Sequence, residues 1–420
     1  MEPRISSLIE ENGFLKFTIT DCNVSIANAL RRIIISDIPT FVFRTFPYSE
    51  NKCEIYKNTT RFNNEIIKQR LGCIPIYIDD VNFPYKDYVM ELNVKNDSDT
   101  IQYITTKDFK IKNKKTQQYS ESSVHTIFPP DKISGDYIEF VRLQPKLSDN
   151  IDSEQISLIC DFDIGTASED GMFNVASTCA YSNTLDKNKA KEKWSEIEKT
   201  LKKENLNQNE IEFQEKNWYL LEAKRFFIEN SFDFVIESIG VFSNIDLVTK
   251  ACNIMIKKCK NFLSMLEQGE ISITPSDSTL TNGYDIILKN EDYTLGKVIE
   301  FFLYQQHYII DKTVSFCGFK KPHPHSLDSM IRIAFHKPVD KIIVNNYLQR
   351  ASDNAITAFN GILSQFVEGE PEVIISQPKT NKTQEKSKSK KISVKKSTKL
   401  EIPPMEEMQE LEEAEEEANE

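Results

Sequence analysis

Two adjacent arginines, Arg31 and Arg32, lie in an otherwise apolar helical stretch, NVSIANALRRIIIS. A guanidinium keeps its charge at every accessible pH, so on a mostly buried helix it needs a carboxylate or carbonyl partner. Either the pair makes salt bridges inside its own domain or it is offered to another protein. The run KKPHPHSLD sets His323 and His325 two residues apart, with prolines on both sides of His323. Two histidines can begin a metal site, but no third or fourth ligand is near in sequence, and a stiff turn packed on the neighbouring helix is the simpler reading. The carboxylate pairs Asp79-Asp80 and Glu169-Asp170 sit in turn-like sequence without a partner base and read as solvated. Asp161 and Asp163 alternate along a strand and form no acidic triad. There is no Walker loop, no GxGxxG and no GxSxG. No catalytic constellation is read, and no cofactor is expected.

The eight cysteines are dispersed, with no CxxC pair. That spacing argues against a zinc ribbon or an iron–sulfur centre. Most, such as Cys73 in LGCIPI and Cys160 in ISLICDF, sit in apolar or strand-like sequence. Buried free thiols in a reducing, intracellular compartment are expected.

These residues need a scaffold. Two alternating runs, Ile5–Ile9 and Phe14–Thr20, flank Asn12-Gly13, a strong hairpin signal. A helix over about 24–36 follows, with Asp21 or Asn23 as its cap and Pro39 as its stop. Around Leu30, the residues Ile26, Ala27, Ile33 and Ile34 fall on one face. Val24 and Ile35 flank the opposite side, so that side also needs cover. NNEIIKQRLG predicts a short helix ending at Gly72 as C-cap. From 79 to 178 the pattern is mostly strands, which marks a β-rich insert. Residues 186–215 are highly charged and read as a solvated helix and loop set between strands. A strand, FDFVIES, then leads to a helix over 244–266. Its stripe is Val248, Cys252, Met255, Cys259, Phe262 and Leu266, at coiled-coil-like spacing.

The last third repeats this plan. YDIILKN is a strand. A helix over 293–306 carries Leu295, Val298, Ile299, Phe302 and Leu303 on one face. Two more strands follow, TVSFCGF and SMIRIAF. A helix over 340–366 carries Val344, Leu348, Ala351, Ala355, Phe359 and Ile362. At about 1.5 Å per residue it spans ~40 Å, longer than its own small sheet can cover. Two units of this kind, each ending in a long apolar helix, suggest a pseudo-two-fold pairing within one chain.

Composition bounds the rest. The 420 residues include 52 basic and 64 acidic side chains, a net charge of −12. A global positive field is excluded, so no autonomous nucleic-acid binding is expected. No signal peptide and no membrane-length apolar run is read. Residues 376–400 hold nine lysines and one glutamate, and 401–420 hold ten glutamates and no basic residue. Residues 376–420 are therefore expected to be a disordered tail.

NVSIANALRRIIISDIPTFVF resembles the first helix and following strand of the RNA polymerase α-like family, which includes bacterial α, its archaeal counterpart and the third-largest subunit of polymerase II. NNEIIKQRLGCIPI is similar to that family's second signature, with Gln69 where histidine is usual. DFDIGTASEDGMFNVASTCAY looks more loosely like its return strands. KNEDYTLGKVIEFFLYQQ, FCGFKKPHP and MIRIAF resemble a different member, the small α-like partner represented by the eleventh subunit of polymerase II and its archaeal counterpart. The chain thus looks like two α-like subunits joined, an arrangement known from nucleocytoplasmic large DNA viruses.

The resemblance implies an α+β fold. Two dimerisation units of antiparallel sheet and helices pair within one chain: residues 1–78 with 179–268, and residues 269–367. A β-rich insert covers 79–178. It implies a non-catalytic assembly platform for the largest and second-largest polymerase subunits, with small polymerase subunits also in contact. No specific DNA binding, membrane or homo-oligomer is required. Metal clusters of some relatives are not carried over, because residues 79–150 lack cysteine. Asn28, Arg31, Arg32, Arg70, Leu71 and Gly72 are the expected contacts to the large subunits. Leu30, Ile34, Val248, Met255, Phe262, Leu295, Phe302, Val344, Leu348 and Phe359 are the expected intrachain dimerisation residues. Tyr293, Thr294, Leu295 and Gly296 start the second unit's equivalent helix, where Gly296 permits close backbone approach. If the source is viral, the host cytoplasm and the virion are the expected locations; the alternative is the nucleus. The alternative is a scaffold that reuses this fold outside transcription.

Overall fold

The computed structural model describes residues 2–80, 83–119, 121–146, 148, 152–204 and 206–367. The expected tail, 376–420, lies outside them. Strands β1 (Arg4–Glu11) and β2 (Phe14–Thr20) form a hairpin. Asn12 and Gly13 turn it at φ 53° and 84°, the left-handed backbone that Asn-Gly favours. Helix α1 (Val24–Ser36) follows, and Asn23 Oδ1 caps it by accepting from the Ser25 N–H at 2.9 Å.

The chain then runs through β3 (Thr40–Phe43), β4 (Cys53–Asn58), α2 (Asn64–Gly72), β5 (Tyr88–Lys95), β6 (Gln102–Thr105) and β7 (Lys110–Asn113). Helix α3 (Glu121–Ile127), β8 (Glu139–Leu143) and β9 (Gln155–Gly165) complete this section. It returns as β10 (Ala176–Leu185), α4 (Lys187–Lys203), α5 (Gln208–Leu220), β11 (Phe227–Ser238) and α6 (Asn244–Glu267). Finally come β12 (Ile273–Pro275), β13 (Gly283–Leu288), α7 (Tyr293–Leu303), β14 (Val314–Lys320), β15 (Ser329–Phe335) and α8 (Lys341–Val367).

Two four-stranded antiparallel sheets share one plan. The first has the order β1-β2-β11-β10 and the second β12-β13-β15-β14. Each belongs to a block in which two strands, a helix, two strands and a long helix follow in sequence. The helices of both blocks meet in a single apolar cluster that runs from Leu15 to Phe366. α6 lies along α8, and α1 packs on both α6 and α7. The length of α8 is thereby covered by the other block rather than by its own sheet.

A second cluster runs from Phe41 to Phe162. Its main sheet has the order β3-β9-β5-β7, with β4 also on β9; β6 and β8 pair separately. The division between cores therefore falls ahead of β3, not at residue 79 as the change of pattern suggested. The reason lies in β9: its first half pairs with β4 and its second half with β3, so both strands join the insert's sheet. Arg44, at the corner between β3 and β4, braces this arrangement. It binds Asp163 (2.7 Å), the Ile164 carbonyl (2.8 Å) and Glu169 (2.8 Å). Burial works against its charge, but Glu169 and Asp163 outweigh it and hold the guanidinium more firmly protonated. Glu169 is thus ion-paired rather than merely solvated. Asp170 caps a short turn by accepting from the Met172 N–H.

Several local expectations need correction. Gly72 is the last residue of α2, and Cys73 caps it in ordinary right-handed backbone. Cys73 is exposed, unlike Cys22, Cys53, Cys160, Cys179, Cys252 and Cys259. α7 does not run unbroken to 306. It passes into a π-helical segment, Tyr304–Ile310. The charged insertion forms two helices, α4 and α5, at the tip of the β10–β11 hairpin, with Ala190, Trp194 and Ile211 as its buried anchors. His323 and His325 are exposed instead of packed on a helix. His323 Nδ1 accepts from the His325 N–H at 3.1 Å and its carbonyl accepts from the Ser326 N–H at 3.0 Å, so the turn is held by bonds within itself.

Candidate partner interface

α1 and α7 cross where the two blocks meet, and a groove of about 510 Å³ opens over the crossing. Its walls include Val24, Asn28 and Arg32 from α1, and Tyr293, Lys297 and Phe301 from α7. Val24 is 50% and Tyr293 45% exposed. Large apolar side chains left in water beside charged ones mark a surface suited to contact with another protein.

Arg31 lies partly exposed on α1. Its Nε and Nη2 both donate to Asn28 Oδ1, at 3.1 and 3.0 Å. Among the described residues it makes no ion pair. Arg32 is different. Its Nε donates to Thr294 Oγ1 at 2.8 Å, and its Nη2 pairs with the Asp292 carboxylate. Asp292 is also the N-cap of α7, accepting from the Thr294 N–H at 2.8 Å. Burial opposes ionisation of Asp292, but Thr294 and Arg32 outweigh it and hold its carboxyl below the usual range. Arg32 therefore joins the two blocks to each other.

A second polar link lies nearby. Lys258 on α6 reaches Asp37 and Glu291, each at 3.4 Å. Glu291, Asp292 and Lys258 were not singled out by sequence reasoning. The signal available was the unmet charge of Arg31-Arg32, which called for a carboxylate without saying which one.

The QRLG segment lies elsewhere, against the second core. Leu71 is fully buried there, and Gly72 is buried against Met172 and Thr45. Neither presents a side chain outward. Arg70 donates to the carbonyls of Phe140 (2.7 Å) and Glu139 (2.9 Å) and so ties α2 to β8. The ten expected dimerisation residues, by contrast, all lie in the first core cluster, each at most 6% exposed. Gly296 sits beneath the Phe319 ring, where a Cβ would come within 2.0 Å of Cε2.

Among the described residues, no group of three or more His, Cys, Asp or Glu side chains is placed to hold a metal ion. No helix among them is long and apolar enough to cross a membrane.

The paired sheets, helices and inter-block links can be set beside known proteins. The model of the RNA polymerase Rpb3/Rpb11 dimerisation domain matches residues 16–259, more than half of the chain. The chain belongs to this family. Its relatives include the DNA-directed RNA polymerases I and III subunit rpac1 of Dictyostelium discoideum. That protein is 35% identical over 108 residues, covering 23% of this chain and 29% of the relative. The RPAC1 subunit of the same polymerases in Homo sapiens is 35% identical over 79 residues, 19% of this chain and 20% of the relative. The chain thus spans under a third of the length of these curated relatives. A longer match is to the DNA-directed RNA polymerase subunit Rpo3 of Methanosphaera stadtmanae, 23% identical over 278 residues, 60% of this chain and 95% of Rpo3. The family match takes in α1, the whole insert and most of α6, but stops before the second block.

Proposed function

We propose that this protein is an assembly subunit of a multisubunit DNA-directed RNA polymerase, in which one chain supplies both members of an α-like pair. The observation that carries this reading is the repeated plan. The second block has the sheet order of the first and packs on it through α7 and α8. Relatives named as polymerase subunits support the transcriptional role. On this reading the chain contributes no catalytic group. Its part is to bring the largest and second-largest subunits together, and those supply the chemistry.

The groove over α1 and α7 and the partly exposed Arg31 form the surface proposed to meet a large subunit. Arg31 supplies a guanidinium with no carboxylate of its own among the described residues, which suits an acidic partner surface. The test is native mass spectrometry of the complex recovered on a tag carried by this chain. The expected result is one copy of the chain with two large polymerase subunits. Repeated recovery without either large subunit from an extract that transcribes would overturn the proposal.

A further inference from the structure

The two blocks share one element plan and sheet order, so each contact between them can be matched to its counterpart by position along the elements. The helix caps set the correspondence. Asn23 caps α1 and Asp292 caps α7, each by accepting from the N–H two residues on, Ser25 and Thr294. Nine residues past its cap, α1 carries Arg32 and α7 carries Phe301. The Arg32 contact with Asp292 and Thr294 is thus mirrored by Phe301 facing Asn23 and Ser25, which line the same groove. At the mirrored positions themselves, Phe301 and Asn23, there is neither cation nor carboxylate, and the charges besides Arg32 that line this groove, Lys297 and Glu300, pair with each other. Ser25 Oγ, the counterpart of the Thr294 hydroxyl, is buried with no hydrogen-bond partner among the described residues.

The long helices show the same asymmetry. The buried stripe Val248, Cys252, Met255, Cys259 on α6 recurs with equal spacing as Val344, Leu348, Ala351, Ala355 on α8. Lys258 precedes Cys259 as Asn354 precedes Ala355. Asp37 and Gln306 each stand fourteen residues past a cap, and Glu291 and Cys22 each stand just before one. The Lys258 link to Asp37 and Glu291 is therefore answered at its counterpart positions by neutral side chains; Asn354 and Gln306 line a separate groove of about 750 Å³ whose charges, Glu2, Arg4, Asp21 and Glu229, all belong to the first block.

From this asymmetry we infer that Arg32–Asp292 and Lys258–Glu291 form a one-sided charge clamp that makes the first block select the second block over a copy of itself. The cations Arg32 and Lys258 lie on the first block, and their carboxylate partners across the seam, Asp292 and Glu291, lie on the second; Lys258 also meets Asp37 within its own block. Two first blocks placed face to face would set Arg32 against Asn23 and Ser25 and leave it without a carboxylate. Two second blocks would set Phe301 against Asp292. The apolar stripes share one spacing, so they discriminate between these pairings only through side-chain size, as between Met255 and Ala351. Half-buried charges left unpaired add a penalty to that of mismatched packing. This inference concerns pairing alone and does not rest on the polymerase reading.

The test uses the full chain. Arg32 meets Thr294, the counterpart of Ser25, so the helix crossing is centred near Asn28. In a pairing of two first blocks, residue 28 of one copy would face residue 28 of the other. Asn28→Cys in a Cys73→Ser background, treated with a short thiol-to-thiol cross-linker, reports that pairing as a covalent dimer. With the clamp intact, little dimer is expected at any protein concentration tested. Arg32→Asp sets two carboxylates together across the native seam, and the dimer fraction should rise at least five-fold. Combining it with Asp292→Arg should return the fraction to its starting level. Should Arg32→Asp fail to fold, the uncharged pair Arg32→Met with Asp292→Asn serves in its place, with a rise of at least two-fold expected. A dimer fraction unmoved by removal of the charges, or one that charge reversal on both sides fails to restore, would overturn the inference.

Discussion

The Gln365 carboxamide bonds to the backbone on both sides of Arg4. Its Oε1 accepts from the Ile5 N–H at 2.8 Å, and its Nε2 donates to the Pro3 carbonyl at 2.7 Å. The last described helix thereby closes the free edge of the first strand, β1, which would otherwise show unpaired backbone groups to solvent. Sequence proximity plays no part in this contact, since 360 residues separate Gln365 from Ile5.

Gln365→Leu keeps the bulk and removes both bonds, along with the local one from Nε2 to the Gly361 carbonyl. Each net hydrogen bond is worth about 1 kcal/mol, and β1 can rehydrate, so a loss of ~1–2 kcal/mol is expected. Chemical denaturation should show the midpoint move with no change in slope. Hydrogen exchange should quicken at Ile5. An unchanged exchange rate there would refute the edge-closing role.

Leu71→Ala separates a packing role from a contact role. Leu71 is fully buried in the second core, and truncation of a buried leucine typically costs ~2–5 kcal/mol. Arg31→Glu, on the partly exposed face of α1, should leave the melting temperature within about a degree, as surface changes usually do. It should nonetheless sharply reduce recovery of the large polymerase subunits in the purification described above. The reverse pattern, with loss of fold for Arg31→Glu and loss of recovery alone for Leu71→Ala, would reassign both residues.

His307 supplies a pH dependence. It is 99% buried in the π-helical segment and stacks on Tyr347 with ring centroids 3.6 Å apart. Its Nδ1 lies 2.9 Å from Asp311. Burial holds the imidazole below its ordinary value of 6.5, and Arg350 acts the same way, while Asp311 opposes them. The folded state thus binds a proton less readily than the unfolded state. The stability contributed is fully present above the ordinary histidine value and is lost as pH falls through it toward the depressed folded value. Unfolding free energy should therefore decline between about pH 7 and 5. His307→Phe should flatten that part of the profile, and an unaltered slope would exclude His307 as the cause.

Thiol chemistry offers a direct count. Burial pushes the thiols of Cys22, Cys179, Cys252, Cys259 and Cys317 up to about 12. A thiol so buried supplies almost no thiolate at neutral pH. Cys73 alone among the eight is exposed. Brief alkylation of the native protein at pH 7.5, read by mass spectrometry, should modify Cys73 first. The half-buried Cys317 should follow more slowly, and the six buried thiols at the rate of unfolding. Fast modification of Cys252 or Cys259 would contradict the packing of α6 on α8.

Gly296→Ala probes the approach of α7 to β14. The added methyl would lie 2.0 Å from Phe319 Cε2 and 2.4 Å from Cδ2. Phe319 also packs edge-on against Tyr293, with ring centroids 5.1 Å apart, so the ring cannot move without disturbing that contact. A cost of ~1–3 kcal/mol is expected, as for other overpacked sites. Phe319→Ala in the same chain should make Gly296→Ala nearly neutral, which a double-mutant cycle would read directly.

Local sequence determined the elements whose cause is local. Asn12-Gly13 turns the first hairpin because both residues tolerate left-handed backbone. Asn23 caps α1 because its short amide reaches the free N–H groups of the first turn. The apolar stripes of α6 and α8 showed which faces are buried because helical period and burial are tied together. The matching order of elements in the two blocks was legible for the same reason. What the period of a helix cannot carry is the identity of the group across the gap. Arg32 needed a carboxylate, but only the crossing of α1 over α7 brought Asp292 to it from 260 residues away. Leu71 and Gly72 belong to a motif whose apparent role was contact with a partner, and only the fold of the insert buried them. The edge between the cores moved for a related reason. β3 and β4 read as part of the first unit by position, and β9 claimed both through backbone hydrogen bonds that depend on register, not on side-chain type.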